Sequence, residues 1–172
     1  MAEPLDFSSI VMAWSEFDIQ IREKGGGKDD WFSLGAIKLK SSTLTAEDGD
    51  TLEAAAVGGV LIGYERLAGS FVLTTTVMEP QELYNKLGIS TSRGVLDNTI
   101  INVNSHVVKK EFELKLVPGK AAAWGLYAPK CSVSIQPSWS EETGNEVVIT
   151  FGILQDVTLD YWYKKVKFKQ AS

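Results

Sequence analysis

The sequence predicts a mainly β fold: an antiparallel β-sandwich or barrel of about eight strands with one short flanking α-helix. Three observations carry this. Runs in which apolar and polar residues alternate recur along the 172 residues, bounded by Gly, Pro, Asn and Asp. Residues 69–78, GSFVLTTTVM, are rich in β-branched and aromatic side chains and hold no Pro. Only residues 80–88 carry helical signals: Pro80 suits a first turn, Leu83, Tyr84 and Leu87 form an apolar stripe, and Gly88 suits a C-cap.

In chain order, residues 1–12 lack a clear pattern and contain Pro4. They read either as a tail or as an arm that packs on a neighbour. Residues 14–23 alternate Phe17, Ile19 and Ile21 against Glu16, Asp18, Gln20 and Arg22, which is a half-buried strand. Gly25, Gly26 and Gly27 make a turn, and residues 31–40 alternate again, so the pair reads as a β-hairpin. Residues 41–56, SSTLTAEDGDTLEAAA, are small, polar and acidic and read as a long loop, the kind that is functional or orders on a partner. Strands follow at residues 60–66 and 70–78. The latter has Phe71, Leu73 and Val77 on one face and Val72 and Met78 on the other, so both faces are partly apolar.

After the helix, residues 89–104 read as loop, with Ile100, Ile101 and Val103 at the start of a strand. Phe112, Leu114 and Leu116 alternate with Glu111, Glu113 and Lys115 up to the turn at Pro118 and Gly119. Cys131, Val133 and Ile135 mark a strand, residues 141–145 a hairpin turn, residues 147–154 the next strand and residues 156–169 the last. One domain of 1–172 accommodates all of this.

The net charge is −5, which disfavours a dedicated nucleic-acid surface. It is uneven: residues 1–90 hold 7 basic and 14 acidic residues, and residues 91–172 hold 10 and 8. The first residues show no basic n-region, and no apolar run reaches the length of a membrane span, so neither a signal peptide nor membrane insertion is expected.

Motifs for chemistry are sparse. His106 is the only histidine, which excludes multi-histidine metal sites, and no serine sits in a G-x-S-x-G elbow. Cys131 is the only cysteine, so no intramolecular disulfide forms; it reads as a small buried hydrophobe. Glu47, Asp48 and Asp50 with Glu53 fail the calcium-loop spacing and read as a solvated acidic loop. The pairs Asp29–Asp30 and Glu141–Glu142 fall in turns. Core packing accounts for most of the five tryptophans, with a minority left to anchor an interface. We therefore expect neither an enzyme nor a bound cofactor or metal.

Residues 34–42, LGAIKLKSS, then the acidic stretch, then GGVLIGYE at 58–65, the strand at 71–78 and its helix, and the finish VVITFGIL at 147–154 resemble the phage tail tube proteins, a family related to the tubes of contractile injection machines. The resemblance covers most of the chain in element order and rests on pattern, not on a sharp motif. It implies a β-sandwich subunit that assembles into homo-oligomeric, usually hexameric rings. The rings stack into a virion tail tube, made and assembled in the host cytoplasm, that contacts other tail proteins. DNA passes through its lumen without specific binding. It also implies that residues 43–56 meet the next ring, that residues 60–66 and 70–78 are barrel strands, and that the helix at 81–87 lies outside. The implied interface residues are Glu47, Asp48, Asp50, Glu53, Tyr64, Phe71, Leu73 and Val77. The alternative from composition alone is a β-sandwich module binding a carbohydrate or a protein, with Trp124 and Tyr127, or Tyr161 and Tyr163, as clustered aromatics.

Overall fold

Alternation in the sequence becomes one continuous set of cross-strand pairs. The computed structural model describes residues 16–38, 40–55, 58–59, 61–66, 69–78, 82–91, 102–120 and 123–168. Its strands are β1 (Phe17–Glu23), β2 (Phe32–Ser33), β3 (Thr43–Glu47), β4 (Thr51–Ala55), β5 (Leu61–Arg66), β6 (Ser70–Met78), β7 (Ser90–Thr91), β8 (Asn102–Val103), β9 (Phe112–Pro118), β10 (Gly125–Ser140), β11 (Gly144–Ile153) and β12 (Lys164–Val166), with helix α1 at Leu83–Leu87. The fold is mainly β, as the sequence predicts. Eight strands form one antiparallel sheet in the order β2-β1-β9-β10-β11-β6-β3, with β12 added to β10. Two further pairs, β4-β5 and β7-β8, lie off it.

Strand periodicity puts every second residue on the inward face. Ile19 faces Leu116 and Leu116 faces Leu126. Val133 faces Phe151, which faces Leu73; Ile135 faces Ile149, which faces Thr75. All of these are buried, and with Leu83, Tyr84 and Leu87 of α1 the apolar ones form a single core cluster. Thr75 is the polar member, and its hydroxyl meets that of Ser42 at 2.8 Å, so the core leaves no unsatisfied hydroxyl there. Gly88 ends α1 in the left-handed region, at φ 73°, as a helix C-cap requires.

Several expectations need correction. Residues 14–23 and 31–40 do not form a full hairpin. β2 pairs β1 only at Gln20–Ser33 and Ile21–Phe32. The chain then crosses to the far side of the sheet, where Ile37 bridges Val77 and Lys38 N–H donates to the Thr76 carbonyl at 2.8 Å. Residues 32–38 thus tie β1 to β6, and the salt bridge from Lys38 to Glu146 at 3.0 Å secures the crossing.

The expected acidic loop at 41–56 is mostly strand, β3 and β4, because pairing with β6 and β5 overrides a loop-like composition. β10 starts well before Cys131 and runs through Pro129; its register shifts between Ala128 and Cys131, which absorbs the missing N–H. The last strand is only three residues long. Upstream of it, Asp156 accepts hydrogen bonds from the Thr158 N–H and hydroxyl, and this local turn competes with strand formation. The expected strand start at Ile100 and Ile101, the helix start at Pro80 and Gln81, the N-terminal arm at 1–12 and Leu39 lie outside the described residues; of the proposed strand start, Val103 is in β8.

The outward face of β1, β9 and β10 is held by a polar knot. Arg22 binds Glu113 through two nitrogens, at 2.6 and 2.9 Å, and Tyr127 donates its hydroxyl to the same carboxylate. The Arg22 guanidinium and the Lys115 ammonium both lie over the Trp31 ring, at 4.6 and 3.8 Å from its centroid. Burial alone would raise the Glu113 carboxyl, yet the hydrogen bonds from Arg22 and Tyr127 hold it below the ordinary carboxylate range. Burial and then Glu113 push the Tyr127 phenol up to about 12. Lys24 and Thr158 hold the Asp156 carboxyl low in the same way.

Two outcomes follow from this packing. Phe151 is fully buried at the centre of the sheet, so Phe151→Ala is expected to cost about 3–5 kcal/mol in urea unfolding. A value below about 1 kcal/mol would mean that the site collapses without a cavity. A folded carboxyl held below its unfolded value contributes stability at neutral pH that is lost as pH falls below about 4. The melting temperature should therefore drop between about pH 4 and pH 2, and Glu113→Gln should flatten that drop. An unchanged slope in Glu113→Gln would assign the acid loss to other carboxylates.

Candidate functional site

β3 and β6 continue into β4 and β5 without a change of register. Thr43 faces Thr74 and Glu47 faces Ser70; beyond the bend at 48–50, Thr51 faces Arg66 and Ala54 faces Gly63. The two pairs therefore make one long β-hairpin, and its outer half is an arm that leaves the main sheet. The bend brings the two sides so close that a Cβ at Gly69 would lie 1.5 Å from the Glu47 carbonyl oxygen, so only glycine fits there. Gly58 and Gly59, both at positive φ, stand at the arm's outer end.

All residues of β3 and residues 51–54 of β4 are exposed. Leu44 and Leu52 are among them, at 40% and 53% exposure. Four of the predicted interface residues are exposed: Glu47 at the end of β3, Asp48 and Asp50 in the bend, and Glu53 on the arm. Tyr64 stands opposite Glu53 on β5. The remaining three are placed differently. Phe71 is half-buried, edge-on to Trp162 and Tyr163 at centroid distances of 5.8 and 5.1 Å. Leu73 and Val77 belong to the chain's own core, at 2% and 0% exposure, because the inward face of β6 meets inward side chains of the same sheet. Leu73 and Val77 are therefore corrected from interface to core.

A second feature lies at the arm's base. An apolar groove of about 550 Å³ is lined by Phe17, Leu44, Leu116, Trp124, Leu126 and Tyr163, with Lys165 at its edge. It opens where β11 ends, Ile153 facing Phe71, while β9 and β10 continue past that level. The buried Leu116 and Leu126 and the exposed Phe17 line it there. Trp124 is half-exposed, and the Lys167 ammonium sits over its ring at 5.0 Å.

The tryptophans need correction too. Among the described residues none is buried: Trp31 and Trp162 are half-buried, Trp124 is 52% exposed and Trp139 is 85% exposed. The groove is not a reading the sequence supplied, and the sequence marked Trp139 only as one of five tryptophans of which a minority would anchor an interface; its signal is its place two residues before the turn at 141–143. The suggested aromatic clusters do not assemble as pairs: Tyr127 joins the Glu113 knot, while Trp124 lines the groove with Tyr163.

Cys131 is fully buried, and burial pushes its thiol up to about 12, so it acts as a packing residue. His106 is exposed beside the short bridge from Val107 to Ser134. Among the described residues no three His, Cys, Asp or Glu side chains gather as a metal set, and no helix is long and apolar enough to cross a membrane.

The bend at Gly69 gives a direct test of the arm. Gly69→Ala is expected to break the junction with Glu47 and to speed tryptic cutting at Arg66, while the core still melts cooperatively. Cutting at the unaltered rate would show that the junction tolerates a side chain. Comparison of the chain with protein-family models and with curated proteins finds no match.

Proposed function

We propose that this chain is the structural subunit of a phage tail tube, assembling into stacked, hexameric rings whose lumen conducts DNA. The observation that carries the reading is the arm. Its strands are paired, yet residues 51–54 of β4 are exposed. A two-stranded ribbon with exposed apolar residues is marginal alone, and unpaired strand edges template pairing with another chain. A neighbouring copy in a ring or stack supplies both the missing cover and the missing edge. The resemblance in element order supports the same reading, as does the acidic first half of the chain, since a negative lumen repels DNA and lets it slide. On this reading the chain works in the virion tail with other tail proteins, without a cofactor and without chemistry of its own.

The groove beside Trp124 favours a second reading, a β-sandwich module that binds a carbohydrate or a protein. Mass in solution separates the two. Light scattering with negative-stain imaging of the same peak is expected to give multiples of 18.8 kDa and rings or tubes. Replacing residues 48–68 by an Asn-Gly turn should keep the core's melting transition and abolish those species. A monodisperse monomer at all concentrations would overturn the assembly reading in favour of the binding module.

A further inference from the structure

The two most conspicuous exposed features stand at opposite ends of the sheet. Trp139 closes β10 at one end, where Glu146 faces Met78, and at 85% exposure it is the most exposed aromatic side chain described. Glu141 and Glu142 follow it in the turn, both exposed. The apolar groove lies at the other end, lined by Trp124, Gly125 and Leu126, where β10 begins. From Leu126 to Trp139 the strand spans roughly 40 Å at about 3.3 Å per residue. Lys165 lines the groove, and the exposed Lys167 holds its ammonium over the Trp124 ring.

Each end lacks what the other offers. An exposed tryptophan stands to bury roughly 150–250 Å² when a pocket accepts it, and tryptophans seated in pockets dominate interface energies. The groove, at about 550 Å³, has room for an indole, and its walls are aliphatic and aromatic. Carboxylates flank the tryptophan and ammonium groups flank the groove, so the charges are complementary when the two ends meet. Within one chain they cannot meet, because both sit on the same extended strand. Between two chains the contact is head-to-tail, and a heterologous contact of that kind repeats along an axis.

We infer that Trp139 of one copy seats in the groove between Phe17, Leu44, Leu126 and Tyr163 of the next copy, with Glu141 and Glu142 against Lys165 and Lys167, and that this contact sets the stacking of subunits. The inference rests on the tube reading and names the surfaces by which its copies would stack.

Two measurements test it. Trp139→Ala removes an exposed side chain, so its melting temperature should match the parent's, while its self-association by light scattering weakens about thirtyfold or more, the usual loss for an interface hot spot. Separately, one batch carries Trp139→Cys and another Leu44→Cys; mixed under mild oxidation, they should form a disulfide-linked dimer containing one of each. Cys131 is fully buried and does not compete. A parent chain that associates, together with a Trp139→Ala variant that associates equally well, would overturn the inference and leave the tube reading standing. That result is also expected if the chain's own first residues fill the groove. A failure of the mixed cysteine pair to cross-link while the parent associates overturns it too. A parent chain that stays monomeric at all concentrations removes the tube reading itself, and this inference with it.

Discussion

The main sheet is registered on β10. This 16-residue strand contacts β9 on one side and, on the other, first β12 and then β11. The change of partner falls near Pro129, where the register shifts between Ala128 and Cys131. A proline in the middle of a sheet removes a ladder hydrogen bond, and a bulge is where that loss does least harm. Because β11 pairs only with the second half of β10, β6 and β3 lie beside that half alone, and the first half of β10 is flanked instead by β12 and by the second half of β9. The apolar groove opens there, beside Leu116 and Leu126. The arm leaves the sheet at the same end because β6 continues past the last residue of β11 that it pairs with.

Stability and exposure are divided unequally along the chain. Between β1 and β6 the inward residues form continuous columns, buried and cross-paired, and the outward face of β1, β9 and β10 is pinned by Arg22, Glu113 and Tyr127 around one carboxylate. Removing one partner of that knot would leave a largely buried charge, which costs more than the ion pair itself contributes. In the arm, residues 51–54 of β4 are exposed, the two strands pair with each other, and Gly69 allows a sharp bend against Glu47. Leu52 on the ribbon and Trp139 at the far end of β10 lie outside that packing.

Much of the fold was legible in the sequence, and the reason is the strand period. Ile19 and Ile21, Phe112 through Leu116, Cys131 through Ile135 and residues 147–153 alternate strictly enough that their inward faces could be read directly, and Pro80 through Gly88 carried the signals of one short helix. Composition misled where pairing decides. Residues 41–56 look like a loop, yet Thr and Glu residues hold strands once β5 and β6 lie beside them. Residues 156–163 look like a strand, yet Asp156 finds its hydrogen bonds in a turn.

The sequence by itself determined the class, an antiparallel β domain with a lone helix, because alternation and turn residues act over a few positions and need no partner to be read. The acids of the arm could also be named in advance, although not the strands that carry them. Only the tertiary structure decided which apolar residues are core and which are left outside. Leu73 and Val77 are covered because neighbouring strands of the same chain face them, whereas Leu44, Trp124 and Trp139, no less apolar, are not. Burial depends on what the rest of the chain brings alongside a residue, and that is set by strand order, by the register shift in β10 and by the place where β11 stops.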